Sequence, residues 1–491
     1  MNRRTLFILV GVALAVKFAF AVMTPLTPDE SLHWMQGHHL AWGFRDHPPV
    51  TAFLSFLSRT ACGVSLPGVR LFAILSTTAC SLIAFGILKE AGFSEETACR
   101  GGILTQLVPM LTFGFIMVPV FPFAGIIFAA EYFFVRALRT DRLIDHLLWG
   151  LVLGISALSY YITATAVLGV TAFCIIDRRG RACFSSGKFW AGVALTCAVA
   201  APNIWWNLGL GKDSAVWFQL VDRSPYAFRP DFFAAFLAIC ILIVGPTFVN
   251  TVIRTPKSLS GRGALFAILF ALPLVGFLLV SLVREAGAHW AIVSFLNAPL
   301  VVAARGEERP HSRWWTGTSI GYASLVFAIL FAGLALDPQQ IVEHFDPTGK
   351  LVGRRRTKSY FDSRETAVKA REWQLKLAEE GTEISFVTDK WGTAGVMSFY
   401  TPGHPYYYVF PDPPRHGRDY ILWNESHPPS KNVIFVKSAY RFVPVMREFS
   451  KEMKRLWSSG PKKRPAYVLY LCKGFEPPPP GEWPSDDEDE E

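Results

Sequence analysis

The sequence predicts a polytopic α-helical membrane protein with a small α/β domain near its C-terminal end. Apolar residues make up 51% of the 491 residues, only 18% are charged, and the mean hydropathy is +0.30. A soluble protein of this size could not easily solvate such a composition. The apolar residues also form runs long enough to cross the hydrocarbon core of a bilayer, which requires about 20 residues.

The membrane spans are predicted from these runs. The first, Leu6 to Val22, follows Arg3 and Arg4, so a cleaved signal peptide competes with an uncleaved helix; no A-x-A-like cleavage site follows, which favours the helix. The stretch 147–176 is too long for one span and polar in its middle, which predicts two short helices. About eleven spans are predicted, with a range of 10–13, at 6–22, 69–88, 102–118, 120–135, 147–176 (two), 190–201, 232–252, 265–283, 290–303 and 315–336.

The orientation is predicted from the basic residues. Arginine and lysine concentrate in loops on the side of the N-terminus, with clusters at 136–142 and 178–181. Cytoplasmic loops carry such an excess. The N-terminus is therefore predicted to be cytoplasmic, and the loop 24–66 and the C-terminal domain to be on the periplasmic side of the inner membrane. The net charge of +9 comes mainly from the cytoplasmic loops and the start of the C-terminal domain, which indicates topology and anionic lipid, with no nucleic acid partner.

Three domains are predicted. Residues 1–336, including loop 24–66, form the transmembrane domain. Residues 337–476 form an extracytoplasmic α/β domain, because a helix-like segment 365–377 precedes short apolar runs at 384–387, 406–410, 433–436 and 466–471. The acidic segment 477–491 is predicted to be a disordered tail.

Two acids follow the first span directly. Thr27, Pro28 and Glu30 fit a capping box, with Thr27 as N-cap and Glu30 reaching back to its amide. Asp29 has no place in that box. On the following helix Asp29, His33 and Gln36 fall at i, i+4 and i+7, which predicts a polar stripe on an amphipathic helix.

The motifs resemble the bacterial protein O-mannosyltransferase-like superfamily of GT-C enzymes, which includes the aminoarabinose transferase of lipid A. The resemblance lies in 28–34 (PDESLHW), 43–49 (GFRDHPP), 201–207 (APNIWWN), 288–291 (AHWA) and four C-terminal segments, 387–389, 398–400, 419–423 and 433–436. It implies a GT-C-like fold and transfer of a sugar from a polyprenyl phosphate donor to a lipid, glycan or protein acceptor.

The resemblance also implies site residues. Asp29 matches the catalytic position and would act as general base, or would hold the acceptor or a cation if the acceptor is a phosphate. Basic residues would stabilise the phosphate of the donor. The predicted substrate-binding residues are Glu30, His33, Arg45, Asp46, His47, Trp206, Asn207, Arg223, Arg284 and His289. The cofactor is unknown, and a divalent metal, with Asp29 as a ligand, is left open.

Several of these residues have simpler interpretations. Glu30 can serve only as a cap, Asp46 and His47 can shape the turn before two prolines, and tryptophans at interfaces such as Trp206 can simply anchor a helix.

Two positions depart from the family pattern. Val120 and Tyr160 stand where family members commonly have an acid and a lysine. Such charges are costly inside a membrane and are retained for function, so their joint loss indicates a different substrate or an inactive relative that binds a lipid-linked glycan. The rival class is a flippase or transporter of lipid-linked sugars. The spans are nearly charge-free, whereas transporters place ionisable groups at the midplane, so interfacial chemistry is favoured.

Overall fold

The computed structural model is mostly helical and carries one small sheet near the C-terminal end, which confirms the predicted fold class. It describes residues 2–214, 217, 227–258, 261–308, 313–335, 354–413, 416–438, 445–459 and 465–480. The chain folds into two compact units. Unit 1 comprises Met1–Val22, Leu40–Gly43 and His47–Leu330, and unit 2 comprises Met23–His39, Phe44–Asp46 and Phe331–Glu491.

Unit 1 is built from helices. In chain order they are α1 (Arg3–Met23), α3 (Val50–Cys62), α4 (Leu66–Glu90), α5 (Glu95–Gln106), α6 (Pro109–Thr112), α7 (Val120–Thr140), α8 (Leu143–Ala157), α9 (Thr163–Ile176), α10 (Arg178–Phe184), α11 (Gly187–Leu210), α12 (Pro230–Val244), α13 (Pro246–Arg254), α14 (Ala264–Ser281), α15 (Ile292–Glu308) and α16 (Arg313–Ala335). Helix α7 packs against α4 and α8, and α8 packs against α11.

The chain is a multi-pass membrane protein. Within the described ranges, six helices are long and apolar enough to cross a membrane, or seven if one bent pair counts as a span. These are α1, α4, α7, α11, α14 and the continuous helical segment Ala288–Glu307. The stretch 147–176 does split, because α8 ends at Ala157 and α9 begins at Thr163, as the polar residues between them predict.

Two predicted spans are not continuous helices. The run 102–118 is broken, because α5 ends at Gln106 and Pro109 starts the single turn α6; proline disfavours helical geometry in the residue before it. The run 232–252 bends by 108° between α12 and α13. Gly245 has φ +72° there and Pro246 follows; positive φ is accessible mainly to glycine.

Unit 2 contains a five-stranded sheet of order β2-β1-β3-β5-β4. The strands are β1 (Ser385–Thr388), β2 (Tyr407–Val409), β3 (Asn432–Ser438), β4 (Glu452–Ser458) and β5 (Tyr467–Lys473). Strand β1 pairs in parallel with β2 and β3, while β5 runs antiparallel to β3 and β4. Its helices are α2 (Pro28–Gln36), α17 (Arg354–Glu379), α18 (Trp391–Tyr400), α19 (Asp419–Ser426) and the single turn α20 (Val445–Glu448). The predicted small α/β domain is therefore present.

Helix α2, although near the N-terminus in sequence, packs against α18 of this unit. Two glycines of α18 allow the close approach. A Cβ added to Gly392 would lie 2.8 Å from Pro28 Cβ, and one added to Gly395 would lie 2.5 Å from Ser31 Oγ. Glycine lets two helix backbones come together where any side chain would separate them.

Aromatic contacts extend the packing of α2. Trp34 meets Phe399 of α18 edge to face, with ring centroids 5.3 Å apart, and His39 stacks on Trp423 of α19 at 4.6 Å. The residues from Glu30 to Gln36 are all buried. Of the predicted polar stripe, Asp29 is exposed, whereas His33 and Gln36 are buried inside unit 2.

Candidate functional site

The start of helix α2 has the predicted capping box. The Thr27 hydroxyl accepts the backbone N–H of Glu30 at 3.2 Å, and Glu30 Oε2 accepts the N–H of Thr27 at 3.0 Å. The Glu30 side chain is fully buried. These contacts favour the capping interpretation of Glu30 over substrate binding, and they fix the backbone from which Asp29 projects.

Asp29 is exposed at the surface of α2. Among the described residues none forms a hydrogen bond or ion pair with its carboxylate, although the imidazole of His416 lies close enough to act on it electrostatically. Partial desolvation raises the pKa of Asp29 above its ordinary value, His416 opposes that shift, and Glu30 adds to it. A carboxylate with a raised pKa is a stronger base, so Asp29 suits proton abstraction.

A buried polar network includes His33 and Gln36, one and two turns after Asp29 on α2. His33 Nδ1 is 2.8 Å from Gln36 Oε1, and Gln36 Nε2 donates to Asp419 Oδ2 at 2.9 Å. Asp419 Oδ1 accepts the backbone N–H of Arg45 at 2.8 Å, and Arg418 Nη2 donates to the Arg45 carbonyl at 2.9 Å. The segment carrying Arg45 is therefore fixed at both backbone groups by the first turn of α19 and the residue before it.

Asp46 belongs to the same network. Its Oδ2 accepts the N–H of Gly417, and its Oδ1 lies 3.6 Å from Arg418 Nε. Gly417 has φ +73°, and an added Cβ would lie 2.4 Å from Trp391, so only glycine fits. The buried Asp46 carboxylate is thus held by the protein itself, which favours a structural role over the predicted substrate contact.

Two other predicted residues lie together in unit 1, at the end of α11. Asn207 Nδ2 donates to the Tyr161 hydroxyl at 3.0 Å and to the Asn203 carbonyl at 2.9 Å. The Trp206 ring lies against Gly43, where an added Cβ would be 2.3 Å from its Cδ1. Close backbone approach therefore requires glycine at 43.

The remaining predicted residues lie elsewhere in unit 1 or outside the described residues. Arg284 is buried just after α14, and His289 lies in the 3-10 turn Ala288–Ala291 before α15. His47 is half-buried before α3. Arg223 lies outside the described residues.

Comparison with known proteins identifies the fold. Residues 46–206 match the family model for dolichyl-phosphate-mannose-protein mannosyltransferase. The crystal structure of ArnT from Cupriavidus metallidurans bound to undecaprenyl phosphate gives a TM-score of 0.65 at 13% identity, covering 96% of this chain and 98% of ArnT. The chain has the GT-C fold of ArnT. The apo form of that ArnT gives 0.63 at 14% identity, covering 96% and 99%. No curated protein sequence matches the chain.

The resemblance named from the motifs is confirmed, because residues 46–206 match the mannosyltransferase family model and the fold is that of ArnT. The two positions that depart from the family pattern lie near one another in unit 1. Val120 is the first residue of α7, and Phe123, one turn on, meets the ring of Tyr160 edge to face at 5.6 Å. The first turn of α7 and Tyr160 therefore lie close together.

Sequence reasoning missed some polar groups. His416 and Asp419 were not predicted at the site. Asp419 opens the segment 419–423 that carries part of the resemblance, but nothing in the sequence places it beside Gln36. Two charged side chains that the sequence did not mark as functional lie within span-length helices of unit 1. Lys17 of α1 is fully buried and donates to Thr77 and Thr78 at 2.9 and 3.1 Å, and Glu131 of α7 accepts from Asn297 at 3.1 Å.

No group of three or more His, Cys, Asp or Glu within the described ranges could hold a metal ion. Asp29 alone supplies one carboxylate, whereas hard divalent cations take about six oxygen ligands. The residues described around Asp29 thus do not form a metal site by themselves.

The paired acids of unit 2 give a pH prediction. Burial, and then the neighbouring Asp46, raise the pKa of Asp419 to about 7, and burial raises the pKa of Asp46 against the opposing charges of Arg418 and His416. Between about pH 4 and 7 the folded protein binds protons that the unfolded chain, with aspartate pKa values near 3.9, has lost. The contribution of these two aspartates to the free energy of unfolding should therefore be greatest at about pH 4. It should fall by a few kcal/mol, to order of magnitude, as the pH rises through 7.

Thermal unfolding of the purified full chain at pH 5 and pH 8 measures this effect. Wild type should unfold at a lower temperature at pH 8, and Asp419→Asn should reduce the difference, because the amide does not titrate. An equal difference in the variant would contradict the assignment to Asp419.

Proposed function

We propose that the chain is an integral-membrane glycosyltransferase that moves a sugar from a polyprenyl phosphate donor to a lipid, glycan or protein acceptor at the periplasmic face of the inner membrane. The observation that carries the proposal is an accessible carboxylate, Asp29, which the motif resemblance matches to the catalytic position, in a chain with the GT-C fold of ArnT. ArnT itself has been crystallised with undecaprenyl phosphate, which supports a lipid-phosphate donor of this class.

The arrangement suits an interfacial transfer. Asp29 follows the span-length helix α1 in sequence. Its own helix α2 is held by packing against α18 and by the hydrogen bond from Gln36 to Asp419. A catalytic group placed on a rigid element keeps its geometry through the reaction. The acceptor hydroxyl would give its proton to Asp29 as the sugar carbon bonds to the acceptor oxygen, and the bond to the donor phosphate breaks.

One observation favours the transport hypothesis, namely the acid Glu131 within the span-length helix α7. The volume of the cavity beside Glu131 argues against it. The cavity lined by Glu131, Asn297 and the rings of Phe134 and Trp149 measures about 20 Å³. That is room for a water molecule or two, and far less than a sugar. The cavity beside Glu131 is therefore too small in this structure to hold a lipid-linked glycan.

The experiment is a transfer assay with purified chain and a panel of polyprenyl phosphate sugars, following the lipid product and the consumed donor. Transfer from at least one donor supports the proposal. Binding of a donor without turnover, across acceptors of all three classes, would instead support the inactive relative. Movement of the donor across vesicles without sugar transfer would support transport.

A further inference from the structure

A continuous chain of buried hydrogen bonds links the α/β part of unit 2 to helix α2. It runs from Asp419 Oδ2 through the Gln36 amide to His33 Nδ1, with steps of 2.9 and 2.8 Å. The exposed fractions of Gln36, His33 and Asp419 are 0, 1 and 2%. Water has little access to these groups, so their polar atoms must form hydrogen bonds within the protein.

The direction of each hydrogen bond follows from the chemistry of the end groups. A carboxylate only accepts, so the Gln36 NH2 must face Asp419 and the amide oxygen must face His33. An amide oxygen also only accepts, so Nδ1 of His33 must carry a proton. The second oxygen of Asp419 accepts the Arg45 N–H at 2.8 Å, and this bond holds the carboxylate in place.

We propose that Asp419 is a positioning residue that, through Gln36, fixes the neutral ring of His33 as the tautomer protonated on Nδ1. Nε2 is then the accepting nitrogen. His33 lies one turn after Asp29 on the same face of α2, so a change of tautomer alters the hydrogen-bonding groups one turn away from the candidate catalytic carboxylate. The consequence for sugar transfer rests on the proposed function, whereas the tautomer does not.

The substitution Asp419→Asn tests this series of hydrogen bonds without changing the size of the side chain. The Arg45 N–H still needs an acceptor, so the new amide must turn its oxygen to Arg45 and its NH2 to Gln36. Gln36 then has to present its oxygen to that NH2 and its own NH2 to His33. The ring must accept at Nδ1, and its proton moves to Nε2.

The experiment is nitrogen-15 NMR of the purified full chain in nanodiscs with ¹⁵N-labelled histidine at pH 8, above the pKa of about 7 that burial gives Asp419. The His33 signals are assigned by their loss in His33→Gln. Wild type should show protonated Nδ1 and unprotonated Nε2, and Asp419→Asn should show the reverse. The control is Asp389→Asn, at a half-buried acid of unit 2 whose pKa burial raises to about 6. This variant should leave the wild-type pattern.

A proton on Nε2 in wild type, or the same tautomer in wild type and Asp419→Asn, would overturn the proposal. Should Asp419→Asn fail to fold, Gln36→Leu tests the same link, because removing the amide should release His33 to a mixture of tautomers. A single Nδ1 tautomer in that variant would also overturn it.

Activity supplies a separate readout. A displacement of about 1 Å in the surroundings of a catalytic group can cost about 100-fold in rate, and a loss of up to that size is expected for Asp419→Asn but not for Asp389→Asn. An inverted tautomer with unchanged transfer would remove the link to catalysis. Absence of transfer in wild type would count against the proposed function and leave the tautomer result standing.

Discussion

Asp29→Asn should abolish sugar transfer while leaving expression and folding intact. The change keeps the size of the side chain but removes the basic carboxylate, and losing general base help costs about a hundredfold to ten-thousandfold in rate. Folding should be unaffected, because the carboxylate is exposed and none of the described residues is bonded to it. The measurement is initial transfer rate with a confirmed donor, alongside the unfolding temperature.

Glu30→Gln is the matched control, because it neutralises the adjacent acid. The glutamine oxygen can still accept the Thr27 N–H that Glu30 accepts now, so transfer and unfolding temperature should stay near wild type. Full turnover in Asp29→Asn would make the enzymatic role assigned to Asp29 wrong and would favour the inactive-relative or transport reading. A loss in Glu30→Gln as large as in Asp29→Asn would show that the capping account of Glu30 is incomplete.

The features predicted correctly are local in sequence. The capping box needs only Thr27, Pro28 and Glu30, three neighbours whose chemistry is visible in the chain. The strands β1, β2, β3 and β5 were predicted because each is a short apolar run buried in the sheet. Strand β4 was missed, since its residues are mostly exposed or half-buried at the sheet edge and therefore carry no apolar signal.

The contacts that fix the candidate site are remote in sequence. Gln36 and Asp419 are 383 positions apart, and no periodicity connects them. The same limit explains Lys17, which interrupts an apolar run and whose hydroxyl partners Thr77 and Thr78 lie on another helix. Gly245 and Pro246 by themselves indicate a break in the helix. The apolar run around them nevertheless predicts one continuous span, so the bend was missed.

Asp46→Ala should destabilise unit 2 more than any surface change in that unit. The substitution would leave the Gly417 N–H and the Arg418 guanidinium without the carboxylate that now faces both in a buried setting. Removing one partner of a buried ion pair costs about 3–5 kcal/mol, because the remaining charge is left uncompensated. For a unit of this size that corresponds to a fall in unfolding temperature of roughly 10 °C, measured at pH 8 by thermal unfolding.

The control comes from the same unit. Lys431 and Glu476 form an ion pair at 3.8 Å with side chains 80 and 65% exposed, and pairs of this kind contribute about 0–1 kcal/mol. Glu476→Ala should therefore leave the unfolding temperature nearly unchanged. Equal effects of Asp46→Ala and Glu476→Ala would mean that Asp46 is not the structural tie between the segment before His47 and the first turn of α19. The predicted substrate-binding role of Asp46 would then be favoured over the structural one, because a buried carboxylate that does not stabilise the fold is typically retained for function.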